Sequence, residues 1–213
     1  MDYPVSVYNA GTPGYTSYQG RVLLEKKILP LQPDIVIISY SINDNARNRN
    51  ISDADFVLLL RETRMKRFQS GILAKSDIYL GLKQLIQYGQ YRLAAREGEK
   101  KPRVPLPAFR KNHEEMIRRI LASGGRAVIY RPALASHGST DYLEALRDIA
   151  RCSGACYFDG KDYFQKTHQR LKQKEPDLEY NDLFLDTLHP SPLGHEVIAE
   201  GLMASLVSEA ILP

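Results

Sequence analysis

Short apolar runs alternate along the chain with longer segments that have helical spacing. The run "PDIVIISY" is continuous, apolar and β-branched, which is typical of a strand buried on both faces of a parallel sheet. The runs "YPVSVYN", "RAVIYRPA" and "ACYFDG" predict further strands. The amphipathic segments between these runs predict helices, and the last helix begins at a Ser191 cap followed by Pro192. Alternating strands and helices predict an α/β fold with a parallel sheet covered on both faces.

One segment, at about residues 71–101, interrupts this alternation. It is too long for a simple connection and too amphipathic for a disordered loop, so we expect an inserted helix or helical hairpin between the second and third strands. Its apolar side chains suit a cap over a site, a dimer surface or a lipid-facing stripe. Packing onto its own domain is the interpretation we favour, because apolar stripes usually belong to a core.

Composition and charge narrow the class of protein. The 213 residues, 43% hydrophobic and 25% charged, suit one globular domain. The net charge is only +4, but residues 61–119 contain 15 Lys and Arg against 6 Asp and Glu. This basic region could face an anionic or membrane surface, although a solvated helical face is the simpler interpretation. Cys152 and Cys156 lack the second Cys or His pair of a zinc site, so we expect no metal.

Three motifs follow predicted strands or precede the last helix, where ligands bind in parallel α/β proteins. In "NAGTPGYTS" and "YSINDN", the Gly11 N–H and the Asn43 amide are neutral donors of the kind that an oxyanion hole needs. In "LDTLHP", Asp186 stands three residues before His189. A carboxylate that fixes the histidine tautomer leaves the other ring nitrogen free to act as a base. Each motif alone is also compatible with ordinary turn chemistry.

Together these motifs resemble the SGNH hydrolases, also called the GDSL esterase family, from Val5 to about Leu206. The resemblance implies a single domain over residues 1–213 with a flavodoxin-like three-layer sandwich and strand order 2-1-3-4-5. It also implies hydrolysis of acyl esters of a small molecule or carbohydrate by a Ser-His-Asp mechanism, with acetyl esters as the first to test. Asp186 and His189 would be the acid and the base, and Gly11 and Asn43 the oxyanion donors. No cofactor and no nucleic-acid partner are implied. Ser41 departs from the family, which usually has glycine there.

The nucleophile is the larger departure. In the family, the catalytic serine lies in a Gly-Asp-Ser block after a strand that precedes the "NAG" block, and no Gly-Asp-Ser occurs in these 213 residues. We therefore expect that the first, central strand is missing, that the domain is N-terminally incomplete, and that the chain as given is inactive. There are two alternatives. The protein is a catalytically inactive binding module for a carbohydrate or a membrane, or another chain completes the site.

Overall fold

The computed structural model describes residues 5–47, 51–55, 57–58, 100–135, 140–209 and 211. Within them, α1 leads through a π-helical turn and a 3-10 turn to the first strand, and a second 3-10 helix precedes the last α-helix. The helices and strands, in chain order, are α1 Ser17–Leu23, β1 Ile35–Ile38, α2 Ile42–Asn45, α3 Leu106–Ala122, β2 Arg126–Arg131, α4 Asp141–Ser153, β3 Cys156–Asp159, α5 Gly160–Lys172, the 3-10 helix Tyr180–Leu183 and α6 Pro192–Ser208.

The sheet of the described residues has three parallel strands in the order β1-β2-β3. Ile38 of β1 lies opposite Ile129 of β2, which in turn lies opposite Tyr157 of β3. Because every strand runs in the same direction, the carboxyl ends of all three meet at one edge. The predicted α/β class with a parallel sheet is confirmed.

Two separate cores lie on the two faces of this sheet. On one face, α1, α3 and α4 pack over side chains such as Ile38 and Ile129 and bury a large cluster that includes Phe109 and Leu146. On the other face, α5 contacts β2 and α6 contacts β3, with a smaller cluster built around Phe164. The result is the three-layer arrangement that the alternating sequence predicts.

The prediction that "PDIVIISY" is buried on both faces is wrong for one of them. Ile37 of β1 is 45% exposed, whereas Val128, directly opposite in β2, is 0% exposed. The physical reason is the placement of the helices. On this face α5 packs against β2 and α6 against β3, whereas Ile37 of β1 is left 45% exposed.

The prediction of a strand at "YPVSVYN" is also wrong for its described part. Residues 5–10 have no regular secondary structure, and Val7 is 87% exposed, with Val5 and Tyr8 also largely exposed. A strand is stabilised by a hydrogen-bonded neighbour and by burial of at least one face. No strand of the described residues pairs with this segment, so its apolar pattern alone does not produce a strand.

The predicted helix start at Ser191 is confirmed, since its side chain accepts the main-chain N–H of Gly194, three residues later. Helix α5 was not predicted, because "GKDYFQKTHQRLK" is mostly polar. Its start does carry a recognisable capping residue, since Asp159 accepts the N–H of Asp162. Among the described helices, none is long and apolar enough to cross a lipid bilayer.

Two predictions fall largely outside the described residues. The proposed insertion at about 71–101 is described only at its last two positions, and the basic region 61–119 only from residue 100 onward. Within that second part, Arg118 and Arg119 both pair with Glu115. The proposed anionic or membrane surface therefore stays a prediction.

Candidate active site

The Asp186–His189 motif lies on a short loop between the 3-10 helix and α6. The Leu185 N–H donates to the His189 carbonyl at 2.7 Å, and the Ser191 N–H donates to the Leu183 carbonyl at 2.9 Å. These two bonds close the loop at its base, next to an antiparallel bridge between Phe184 and Pro190. The loop is thus fixed at both ends to regular structure.

The Asp186 carboxylate organises the inside of this loop. Its Oδ1 atom accepts the main-chain N–H groups of Leu188 at 2.7 Å and His189 at 2.8 Å. Its Oδ2 atom lies 2.7 Å from Nδ1 of the His189 ring. The hydrogen bond to His189, followed by the two main-chain bonds, lowers the pKa of Asp186 to about 2. Asp186 is therefore ionised at neutral pH and fixes the orientation of the imidazole.

The other nitrogen of His189 faces solvent. The side chain is 72% exposed, and Nε2 has no hydrogen-bond partner among the described residues. With Nδ1 held as a donor to a carboxylate, Nε2 is the atom that can accept a proton. The pair therefore has the geometry of a histidine base oriented by an acid.

The first turn of α6 holds the loop against the 3-10 helix. Ser191 caps α6 by accepting the Gly194 N–H at 3.2 Å, and its hydroxyl donates to the Asp182 carbonyl at 2.8 Å. A Cβ atom on Gly194 would lie 2.1 Å from the Leu183 carbonyl oxygen. Only glycine allows this close approach, because a neighbouring main-chain atom cannot move aside easily.

Gly11 lies in an exposed turn before α1. Its N–H donates to the Asn9 side chain at 2.9 Å, so the proposed oxyanion donor is engaged within its own turn. Gly14, three residues later, has a φ of 76°, a conformation that glycine adopts without strain.

Asn43 lies in α2, directly after β1. Its Nδ2 atom donates to the Tyr15 carbonyl at 3.2 Å, which joins this motif to the segment that follows Gly11. A side-chain amide has two N–H hydrogens, so one hydrogen is left for another acceptor. The side chain is half-buried, which suits a donor that points toward a surface site.

Both halves of the predicted site belong to the carboxyl edge of the sheet. Asn43 follows β1, and the Thr187 carbonyl accepts the N–H of Ala135, which follows β2, at 3.3 Å. Among the described residues, no hydrogen bond joins Gly11 or Asn43 to the Asp186–His189 loop. The pairing of Asp186 with His189 is thus direct, while the oxyanion roles of Gly11 and Asn43 stay predictions.

One buried carboxylate at this edge was missed by sequence reasoning. Asp44, next to Asn43, is 0% exposed and accepts the Ser17 N–H and hydroxyl. Burial raises the pKa of Asp44 to about 6. The only indication in the sequence is an acidic residue directly after the candidate donor, and this cannot reveal a partner 27 residues away.

Two further features bear on which ligands the site could hold. A cavity of about 650 Å³ lies between α1 and α3, lined by residues that include Arg21, Arg103 and Asn112, and none of its lining residues comes from the Asp186–His189 loop. The acid–base geometry lies on the loop and not at this cavity. Within the described part of the chain, no group of His, Cys, Asp and Glu side chains could hold a metal ion.

Comparison with known families supports the resemblance noted in the sequence. The model of the GDSL-like lipase/acylhydrolase family matches residues 1–197. The chain belongs to this family. A comparison with curated proteins finds no match for this GDSL-like protein.

Solved structures with the same fold include two acetyl xylan esterases. Axe2 from Geobacillus stearothermophilus has a TM-score of 0.54 and 14% sequence identity, over 91% of this chain and 68% of Axe2. The acetyl xylan esterase AlAXEase has a TM-score of 0.56 and 14% identity, over 92% of this chain and 79% of its own. At such low identity, these similarities establish the fold of the GDSL-like protein.

Proposed function

We propose that this GDSL-like protein hydrolyses acyl esters by a Ser-His-Asp mechanism, with His189 as the base and Asp186 as the acid that orients it. The observation that carries the proposal is the 2.7 Å contact between Asp186 Oδ2 and His189 Nδ1, which leaves Nε2 exposed. Membership of an acylhydrolase family supports the reaction class.

In this mechanism, Nε2 of His189 takes the proton of a serine hydroxyl while the serine oxygen attacks the ester carbonyl. The positive imidazole is stabilised by the Asp186 carboxylate, which stays ionised because its pKa is about 2. The same Nε2 then gives the proton to the departing alkoxide, and an acyl-serine remains. Water, activated by His189 in turn, releases the acid and restores the serine.

The tetrahedral oxyanion needs neutral donors, and we assign them to Asn43 and Gly11. Asn43 is the better supported of the two, because its amide has a second hydrogen that the Tyr15 contact does not use. The Gly11 N–H is bound to Asn9, so its participation requires that the turn release or share this hydrogen.

The nucleophilic serine is, in this proposal, supplied from outside the 213 residues, on a strand that pairs with β1. Three observations support this placement. No Gly-Asp-Ser occurs in the sequence. Among the described strands, β1 is an edge strand with an exposed Ile37. Residues 5–10 have no regular secondary structure and pair with no described strand. In the order 2-1-3-4-5, the added strand would lie between that segment and β1.

Acetylated carbohydrates are the first substrates to test, since Axe2 and AlAXEase are both acetyl xylan esterases with this fold. The second candidate function is a module that binds an acylated sugar without turnover. The absence of a Gly-Asp-Ser block is the observation that favours it.

The test compares the 213-residue chain with a version that carries an additional N-terminal strand ending in Gly-Asp-Ser. Hydrolysis of p-nitrophenyl acetate and of an acetylated xylooligosaccharide is measured at steady state. We expect negligible turnover by the chain alone and His189-dependent turnover by the extended protein. A matched extension with alanine in place of the serine should be inactive. If the extension stabilises the fold but no His189-dependent activity results, the binding module replaces the enzyme.

A further inference from the structure

Two consecutive residues of α2 hold the segment that runs from Gly11 into α1. Asn43 donates to the Tyr15 carbonyl at 3.2 Å. Asp44 accepts the Ser17 N–H at 2.9 and 3.1 Å through its two carboxylate oxygens. The motif after β1 is therefore fastened to the motif before α1 at two points, two residues apart.

The hydrogen bonds around Ser17 show which form of Asp44 the structure requires. Asn112 of α3 donates its Nδ2 hydrogen to Ser17 Oγ at 3.1 Å. An amide nitrogen can only donate, so the hydroxyl hydrogen of Ser17 is not used by Asn112 and is directed to Asp44 Oδ1. Asp44 thus receives both the N–H and the O–H of Ser17, and an ionised carboxylate accepts these bonds more strongly than a neutral acid does.

Resting on the function proposed above, we propose that Asp44 is a positioning residue for Asn43. Its buried carboxylate binds the Ser17 N–H and hydroxyl, a pair of contacts that we call the clamp. The clamp thereby holds the Asn43 amide in a fixed position relative to the Gly11 turn. Asp44 itself does not touch the reacting atoms. A donor displaced by a fraction of an ångström stabilises an oxyanion poorly, so loss of this clamp lowers turnover.

Neighbouring groups tie the same clamp to the Gly11 turn from a second side. Arg103 forms an ion pair with the buried Asp53, in which Nε lies 3.2 Å from Oδ1 and Nη2 lies 3.0 Å from Oδ2. Its Nη1 atom donates to the Gly14 main-chain carbonyl at 2.8 Å. Thr16 donates to Asp53 at 2.8 Å. Main-chain Val104 donates to the Asp44 carbonyl at 3.1 Å.

The charges that surround Asp44 give the clamp a pH dependence. The pKa of Asp44 is raised to about 6, mainly by burial and in smaller part by the nearby Asp53. The Ser17 hydrogen bonds and the charge of Arg103 act in the opposite direction but do not outweigh burial. Within the described part of the chain, the phenols of Tyr40 and Tyr142 also interact with Asp44; burial and then Asp44 raise their pKa values, so both stay neutral in this range. As the pH falls below about 6, Asp44 takes up a proton and the clamp weakens.

The test follows the clamp directly by NMR, without any turnover. The side-chain amide signal of Asn43 and the main-chain amide signal of Ser17 are recorded from pH 4.5 to 8 in the wild type, in Asp44→Asn and in Asp34→Asn. Asp34 is exposed and serves as the control of equal charge. We expect both signals to shift together with a midpoint near 6 in the wild type and in Asp34→Asn, and to show no such midpoint in Asp44→Asn.

Ser17→Ala provides the second variant, in case Asp44→Asn does not fold. It removes the hydroxyl bond that lowers the pKa of Asp44 and keeps the N–H bond, so the midpoint of the Asn43 signal should move to higher pH. An Asn43 signal that ignores pH in the wild type, or a midpoint unchanged in Ser17→Ala, overturns the proposal.

A kinetic comparison on the extended, active protein separates this proposal from the proposed function. Asp44→Asn should lower kcat roughly tenfold to a hundredfold with little change in KM, because the displaced donor acts in the transition state. The acid limb of kcat should also lose the contribution that titrates near pH 6. Equal kcat values in Asp44→Asn and the wild type overturn the positioning role alone. A coupled NMR titration without any His189-dependent activity overturns the proposed function alone.

Discussion

Asp186 contacts His189 twice: its Oδ2 atom lies 2.7 Å from the ring Nδ1, and its Oδ1 atom accepts the His189 main-chain N–H at 2.8 Å. One carboxylate therefore shapes the loop and orients the ring. Any change in the main chain of this loop is expected to move the imidazole as well.

The first prediction concerns the titration of Asp186. The His189 side chain is the largest cause of its pKa of about 2, so His189→Ala should raise that pKa toward the ordinary value. The two main-chain N–H bonds should keep it below 3.8. The measurement is the NMR titration of the Asp186 carboxyl carbon. His195→Ala, at an exposed position in α6, is the control and should leave the midpoint near 2.

Local parts of this site could be predicted from the sequence. The partners Asp186 and His189 are three residues apart, and the Ser191 cap and Pro192 define the start of α6 within the next few positions. Such short-range chemistry depends little on the rest of the fold. The clamp between Asp44 and Ser17 spans 27 residues, and no periodicity of apolar positions indicates which polar side chains meet across that distance.

The exposure of Ile37 shows a second limit of sequence reasoning. The apolar, β-branched run in β1 correctly predicts a strand, but its burial depends on whether helices cover both faces of that particular strand. Helix α5 was missed because its sequence shows too few apolar positions to indicate a buried face. Its few buried side chains, such as Phe164 and Thr167, are outnumbered by polar ones.

The second prediction concerns Gly194. Gly194→Ala should destabilise the fold by about 1–3 kcal/mol, the usual cost of overpacking, because its Cβ would lie 2.1 Å from the Leu183 carbonyl oxygen. It should also raise the pKa of Asp186, since α6 must move away from the base of the loop. Urea denaturation and the Asp186 titration measure these effects.

Gly201→Ala in the same helix is the matched control for Gly194→Ala. Its Cβ would meet the rings of Phe158 and Tyr163 at 2.5 and 2.7 Å, far along α6 from the loop. It should destabilise the fold without changing the Asp186 midpoint. An equal shift of that midpoint in both variants would contradict the specific link between Gly194 and the loop.

The third prediction is the pH dependence of stability, where two buried groups oppose each other. Burial lowers the pKa of His113 from 6.5 to about 4, although its main-chain hydrogen bonds act to raise it. Between pH 6.5 and 4 the unfolded chain therefore binds more protons at this residue than the folded chain does. As the pH falls through this range, the free energy of unfolding falls. The pKa of Asp44 is raised from 3.8 to about 6, so its contribution has the opposite sign. Each shift corresponds to about 3 kcal/mol.

Between pH 6 and 4 these two contributions should largely cancel in the wild type. Asp44→Asn removes one of them, so its free energy of unfolding should fall by about 2 kcal/mol more than that of the wild type over this range. Urea denaturation at several pH values measures the difference, with Asp34→Asn as the control. If the unfolding free energies of Asp44→Asn and the wild type run parallel over this range, the opposed titration of the two groups is refuted.

The fourth prediction compares the two residues that face each other across β1 and β2. Ile37 is 45% exposed and Val128 is 0% exposed, although both lie on the same face of the sheet. Val128→Thr places a hydroxyl in a dry environment and should cost about 1–3 kcal/mol, whereas Ile37→Thr should cost less than about 1 kcal/mol. Urea denaturation of the 213-residue chain measures both.

The same pair also tests whether an added strand covers β1. In the protein extended by a strand that ends in Gly-Asp-Ser, the added strand would lie beside β1. Ile37 would then be buried by the side chains of that strand and by the residues that cover them on the same face of the sheet. The cost of Ile37→Thr should then rise toward that of Val128→Thr, while the cost of Val128→Thr stays unchanged because its surroundings are already complete. If Ile37→Thr remains inexpensive in an extended protein that is folded and active, the serine reaches His189 without a strand beside β1.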